Sequence, residues 1–447
     1  FPSQISLPTH KSNHELEVNI QTFSVQLFQK CAISFRAIPK ILQTTADCLK
    51  RPLETCHFTS VINWCLKVGL YQLKSISRSE EPWTAIIDAS IQQGTKKAFV
   101  VLKVPTYIMK NRTHALALQD VEVADLTVHE RLNGDIIAGL LTPLFEKLGA
   151  PSQILSDGGS DIAKGIQLTQ ALMTNMLPHS LDIGHTFANI LKRNYEKQTL
   201  FNELVSFAGK VGAKLRQTLA AWITPNKQRT KGRFQSISQL ANWAQNTFKY
   251  CQEHLQDHDD ATKALLQSQF VDNVNNESLV LFSQQFQLDC QVLNDIQKEV
   301  KNNGLSEASY KKSIECISSS SASSAIKEET EQYLSQSLAQ LTKYKIETGL
   351  LSTDVIESLF GKIKFIMARS PSKEFNKLCL LLPMMTGTFD ENLIETAISE
   401  IMISDLKKWE EDNIGNTLLK EKRKNFAKLK LDDDVPIDAN NLLALAA

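Results

Sequence analysis

Every stretch of this chain with the alternation or β-branched content of a strand falls between residues 83 and 183, and helical periodicity takes over on both sides. That confines the fold to one small sheet set among helices. The strand candidates are WTAIID (83–88), AFVVLKV (98–104), VEVADLTV (121–128), SQILSD (152–157) and SLDI (180–183). GTKK (94–97) supplies a turn between the first two. NGDIIAGLLTPLFEKLG (133–149) reads as an amphipathic helix closed by Gly149, with Pro151 just beyond. A second helix follows at about 160–177. The order β-β-β-α-β-α-β predicts an α/β fold with a mixed sheet. Three leading antiparallel strands are followed by parallel ones reached through crossover helices, in the spatial order 3-2-1-4-5.

At 447 residues the chain exceeds one minimal core, and two or three domains are expected. The pattern divides it into a helical N-terminal region (1–80), the first part of the sheet domain (81–185), an all-helical insertion (186–350), a return to the sheet domain (351–404) and a charged tail (405–447). In the first region, SFRAIPKIL (34–42) and HFTSVINWCLKVGL (57–70) form two helices. They make either a helix-turn-helix whose second helix enters a major groove or a plain helical bundle. Thr59 or Ser60 would cap the second helix, with Val61, Ile62, Trp64, Cys65 and Val68 facing inward. ISSSSASS (317–324) is low-complexity and reads as a flexible loop. No apolar run approaches the length of a membrane span, so no membrane partner is expected. The first residue is Phe1, which leaves a lost targeting signal open. Eight cysteines are scattered, and Cys48, Cys56-His57 and Cys65 fit no common zinc spacing. Reduced, mostly buried thiols in an intracellular protein are expected.

Hydrophobic residues at 42% and charged residues at 22% describe an ordinary soluble globular chain. The 49 basic and 49 acidic residues cancel, so only their distribution can point to a nucleic acid. Residues 192–233 hold Lys192, Arg193, Lys197, Lys210, Lys214, Arg216, Lys227, Arg229, Lys231 and Arg233 against Glu196 and Glu203, a local net charge of +8. Such a run is either a solvated helical face or a track for a phosphate backbone.

Two of the strand candidates end on an acid, Asp88 and Asp157. If the first and fourth strands are parallel neighbours, the two carboxylates sit side by side, which makes either a cation site or a proton-sharing dyad. A hard ion such as Mg²⁺ takes carboxylates and leaves room for water and phosphate oxygens. Gly158 and Gly159 remove side chains where a substrate backbone would approach. A third acid lies in LSTDVIESLFGKIKF (351–365), where Val355, Ile356, Leu359, Phe360 and Ile363 make a buried stripe. Asp354 and Glu357 have the spacing of a capping box. Glu357 shares a face with Gly361 and Lys364, which suits a metal ligand beside a phosphate contact as well as a surface capping glutamate.

Asp88 in IIDAS, Asp157 in LSDGGSD and Glu357 in a helix after a long helical insertion resemble the acidic triad of the DDE transposase and integrase superfamily. DIGH (182–185) is similar to the C/D-x-x-H signature of hAT-like and related transposases. The resemblance covers about residues 83–370, and the neutral overall charge departs from it. It implies an RNase H-like catalytic core and two Mg²⁺ or Mn²⁺ ions about 4 Å apart held by Asp88, Asp157 and Glu357. It also implies phosphodiester hydrolysis and strand transfer at transposon ends. Asp182 and His185 would support the site or hold a flipped DNA end, and Lys362 and Lys364 would contact phosphates near the cut. Trp222 or Trp243 in the insertion would stack on an extruded base. The implied partners are transposon-end and target DNA and further copies of the chain on that DNA, in a bacterial cytoplasm or nucleoid rather than a nucleus. Two alternatives are a DNA-binding relic that no longer cuts and an RNase H-like nuclease that cuts without joining.

Overall fold

A five-stranded sheet lies at the centre of a computed structural model that describes residues 13–50, 56–78, 80–111, 114–173, 177–227, 232–271, 277–367, 374–415 and 417–429. Among the described residues three helices precede the sheet: α1 (Asn13–Cys31), α2 (Ile38–Leu49) and α3 (Phe58–Ser75). Then come β1 (Trp83–Gln93), β2 (Lys96–Pro105), the short α4 (Thr106–Asn111) and β3 (Glu122–His129). α5 (Gly134–Leu148) and α6 (Ser160–Leu172) carry the chain over to β4 (Gln153–Ser156) and β5 (His179–Leu181). The spatial order is β3-β2-β1-β4-β5, with β1, β2 and β3 antiparallel and β4 parallel to both β1 and β5.

Alternation along the strands produces two apolar faces, and helices cover both. Ala85, Ile87, Phe99 and Val101 pack with Ile137, Leu141 and Phe145 of α5 and Ile162 and Ile166 of α6. Ile86, Val100 and Leu102 point the other way, into a larger cluster that contains Val61, Leu66 and Leu70 of α3. The N-terminal helices therefore share a core with the sheet. At Gly69 an added Cβ would stand 1.9 Å from the Leu380 carbonyl oxygen. Gly69 thus lies on the face of α3 that is pressed against the Leu380 backbone. His57 caps α3, its Nδ1 accepting from Thr59 N at 3.4 Å, in place of Thr59 or Ser60. Ile62 and Trp64 are only partly buried.

The insertion comprises α7 (Ile183–Tyr195), α8 (Thr199–Leu215), α9 (Ile237–His254), α10 (Asp260–Leu266), α11 (Glu277–Asn303), α12 (Glu307–Ser319) and α13 (Ser324–Lys343). These helices bury a core of their own running from Ile183 to Leu351. Asp289 sits fully inside it, accepting from Tyr195 Oη at 2.5 Å, from Ser323 N and Oγ at 2.7 Å each and from Gln285 Nε2 at 3.0 Å. One buried carboxylate thus ties α7, α11 and the start of α13 together. Within the serine run at 317–324 only 320–323 form a connection, between α12 and α13. Ser318 and Ser319 stay helical, their hydroxyls donating back to the carbonyls of Ile314 and Glu315 at 2.8 Å each.

The chain returns through α14 (Asp354–Met367), α15 (Leu381–Met384), α16 (Glu391–Glu400), α17 (Ile403–Asn413) and α18 (Leu418–Leu429). Val355, Ile356, Leu359, Phe360, Ile363 and Met367 of α14 are buried against the sheet face that Ile86 occupies, each worth about 1.5–3 kcal/mol. All eight cysteines are free, but only Cys65, Cys251, Cys290 and Cys379 are buried, while Cys31 and Cys48 are exposed. Among the described residues no helix is long and apolar enough to cross a membrane.

Gly69→Ala has no room at Leu380 and is expected to lower unfolding free energy by about 1–3 kcal/mol in urea titration. Gly139→Ala, where a Cβ meets nothing within 4 Å, should instead raise it by about 0.5–1 kcal/mol.

Candidate active site

β1 outruns β4, and that difference in length sets the first two acids. Pairing between them ends at Ile87 opposite Ser156. Asp88 and Asp157 are the next residues on each chain, so they occupy equivalent positions on parallel neighbours. Asp88 does not end its strand, however. β1 continues to Gln93, Asp88 pairs with Val100 of β2, and an irregularity in the ladder follows between Asp88 and Ile91. A bulge there re-aims what precedes and follows it. Alternation places Asp88 on the side of Ile86, the side that α14 covers, and it is 7% exposed.

Asp157 opens a tight turn. Gly158 has φ of 80°, a conformation that favours glycine. Gly159 N donates to Asp157 Oδ1 at 2.8 Å, and Gly158 N donates to Ser156 Oγ at 3.2 Å. Ser156 Oγ also lies 2.9 Å from His179 Nε2, and burial holds that imidazole below its ordinary pKa.

The third acid is brought in by a long-range clamp. Asp182 is 2% exposed and caps α7, its Oδ1 accepting from His185 N at 2.7 Å. Its Oδ2 accepts from Thr353 N at 2.7 Å and from Thr353 Oγ1 at 2.9 Å. Beside it Gln153 binds the backbone of Leu350 both ways, Nε2 to O at 2.8 Å and N to Oε1 at 2.9 Å. These contacts fix where α14 begins. Asp354 is the first helical residue, not its cap, and its carboxylate pairs with Lys301. The expected Asp354–Glu357 capping box is therefore replaced, and Glu357 projects from α14 toward His185.

His185 links these parts. Its Nδ1 is 3.1 Å from Asp182 Oδ1 and 3.9 Å from Glu357 Oε1. The Asp182 hydrogen bond raises the imidazole pKa to about 9 against the opposing effect of burial, with Asp182, Glu357 and Asp157 adding attraction. Burial pushes Asp182 upward, but hydrogen bonds from His185 and Thr353 outweigh it and leave the carboxyl below its usual range. For Glu357 burial prevails and its carboxyl lies above the usual range, although the charge of His185 pulls it down. His185 Nε2 lies 2.6 Å from the side-chain amide of Gln235, which must present its oxygen there when the imidazole is charged. A polar cavity of about 420 Å³ opens beside this group, lined among others by Gln235, Gln297, Lys301, Asp354 and Glu357.

The donor set suits a hard divalent ion, since it consists of carboxylates. Its placement is not a closed cage. Among the described residues no group of three or more His, Cys, Asp or Glu is arranged to hold a metal. Glu357 leans on His185, and Asp157 accepts the N–H of Gly159.

The remaining candidates are dispersed. Lys192 lies 3.9 Å from Glu196, and Arg193 is committed to Glu329, its Nε donating at 3.0 Å. Lys227, Lys362 and Lys364 are exposed, Arg233 is half-buried, and Arg229 and Lys231 lie outside the described residues. Trp243 is half-buried, donates from Nε1 to Ile223 O at 2.7 Å, packs on Phe207 and lines a surface cleft with Trp222. Trp222 is 55% exposed, edge-on to Tyr250 at 5.2 Å, and Tyr250 lies about 20 Å along α9 from its first turn. Neither tryptophan joins the acids. Sequence reasoning missed Gln153, Gln235, Lys301 and Thr353. Only Thr353, a threonine just before a helix, carried a local signal.

No protein-family model matches the chain, and no curated protein sequence matches it.

Because the folded His185 pKa lies above the ordinary 6.5, its contribution to stability is complete below pH 6.5 and is lost as pH rises through about 9. Unfolding free energy measured across that window should fall with pH. Asp182→Asn should flatten the slope and bring the His185 imidazole, followed by NMR, back toward 6.5.

Proposed function

We propose that this chain is a DDE-type polynucleotidyl transferase on an RNase H-like core, cutting and joining phosphodiesters at DNA ends. The observation that supports the reading is the placement of the acids: Asp88 and Asp157 follow the last paired residues of two parallel neighbours, and Glu357 lies 3.9 Å from His185, which also feels the charge of Asp157. Asp88, Asp157 and Glu357 would hold Mg²⁺ or Mn²⁺, which when bound activates the attacking oxygen and stabilises the leaving one. The chain's own part is positioning and charge. His185 carries a proton near neutral pH and attracts both Glu357 and Asp157. Lys364 on the face of Glu357, and the exposed Lys197, Lys210, Lys214 and Arg216 of the insertion, offer sites for phosphates. A second reading, a DNA-binding protein that no longer cuts, is favoured by the open arrangement of the acids.

Nicking of DNA from the ends of the encoding element, with and without Mg²⁺, separates the two. Asp88→Asn, Asp157→Asn and Glu357→Gln are each expected to lower Mg²⁺-dependent cutting by about a hundredfold or more, with DNA binding retained. Binding without cutting in the wild type would select the second reading, and a variant that cuts at the wild-type rate would remove its residue from the site.

A further inference from the structure

A groove of about 510 Å³ lies between α1, the turn into α2, the start of α3 and the outer side of α14. Its walls are aromatic: Phe28, Phe35, Phe58 and Phe365. Phe28 and Phe35 are stacked at 4.3 Å with planes 10° apart. The Arg36 guanidinium lies 5.3 Å from the centre of the Phe58 ring, and Phe365 is 64% exposed. Arg36 and Lys362 stand among the lining residues, and no described acidic residue does. An apolar groove with only positive charge suits a ligand that has flat apolar faces and an anionic backbone.

We propose that this groove binds unpaired bases of a single-stranded nucleic acid, as an extension of the candidate active site. The inference rests on the reading of the chain as a nucleic-acid enzyme. α14 connects the two places. Glu357 and Phe365 are eight residues apart on one helix, about 12 Å of rise. Between them Gly361 leaves the helix surface open, with nothing within 4 Å of where its Cβ would be, and Lys364 continues the face of Glu357. A strand leaving the acids along this face passes a bare stretch of helix and then a lysine, and reaches the exposed edge of the aromatic groove. Bases stack on aromatic rings and on guanidinium planes whatever their sequence, because every base has a π-face. The groove therefore selects for the presence of bases and not for their identity.

The test compares binding of oligothymidylate with binding of an abasic strand of equal length, by fluorescence anisotropy in EDTA, on the full chain carrying Asp157→Asn. Cutting plays no part in this measurement, so failure of the catalytic reading leaves its outcome interpretable. The thymidylate strand is expected to bind more tightly than the abasic one. Phe365→Ala should weaken thymidylate binding about tenfold and leave the abasic strand unchanged. Phe365→Trp should keep the affinity, with indole emission quenched by thymidylate alone. Lys362→Ala should weaken both strands alike and reduce the salt slope by about 1. Equal affinity for the two strands, absence of binding, or a Phe365→Ala variant that binds as the parent does would overturn the proposal. Displacement of a groove-bound probe by an acidic amphipathic peptide but not by thymidylate would assign the groove to a protein partner and overturn it as well.

Discussion

Asp182 is a carboxylate with almost no access to water, and it is stable there because four donors from two distant parts of the chain surround it. A buried charge without such partners would cost several kcal/mol, roughly 3–5 for a pair broken on one side. Here the donors are the first turn of α7 and the residue that precedes α14. The same electrostatic requirement therefore sets three things at once: where the insertion leaves the sheet, where the chain returns, and how His185 is oriented. Gln153 repeats the device in neutral form on the neighbouring strand, its amide meeting both backbone groups of Leu350 and donating to Ser180 Oγ as well. The insertion between these anchor points has its own apolar core and its own buried carboxylate, Asp289, and meets the sheet through Tyr333 and Gln340, which donate to the carbonyls of Leu181 and His179.

The electrostatics of the acidic edge follow from this arrangement. The His185 imidazole feels Asp182, Glu357 and Asp157, and its hydrogen bond to Asp182 raises its pKa to about 9. His185 is thus a counter-charge to both Glu357 and Asp157.

Much of this was legible in the sequence, for reasons that can be named. The strands at 83–88, 98–104 and 121–128 are legible because one side chain in two must face each helical layer. The α14 stripe is legible because Val355, Ile356, Leu359, Phe360 and Ile363 keep a helical period, and all five are buried. Asp88 and Asp157 were visible as acids that close apolar strand runs, and Glu357 by its place opposite the α14 stripe. What left no trace was long-range polar pairing: Gln153 with Leu350, Gln235 with His185, and Lys301 with Asp354. Such contacts join single residues at arbitrary separations and impose no period. Local chemistry also misled where tertiary packing prevailed. Asp354 has the spacing of a cap but gives its carboxylate to Lys301. The serines at 318 and 319 look like a loop but satisfy their hydroxyls inside a helix. The length of β1 was underread because its ladder with β2 resumes beyond the irregularity after Asp88.

The clamp also has a dimension in time. Thr353 follows Asp182 by 171 residues. At synthesis rates of about 5–20 residues per second, that separation corresponds to roughly 10–30 s in which Asp182 has emerged without half of its final partners. During the same interval the β5 carbonyls of His179 and Leu181 wait for α13, whose Gln340 and Tyr333 donate to them. The insertion, which can bury its own core, emerges in the same interval. The nascent chain thus completes its acidic edge late, after the parts that must flank it have already been made, and Glu357 is the last of the three acids to leave the ribosome.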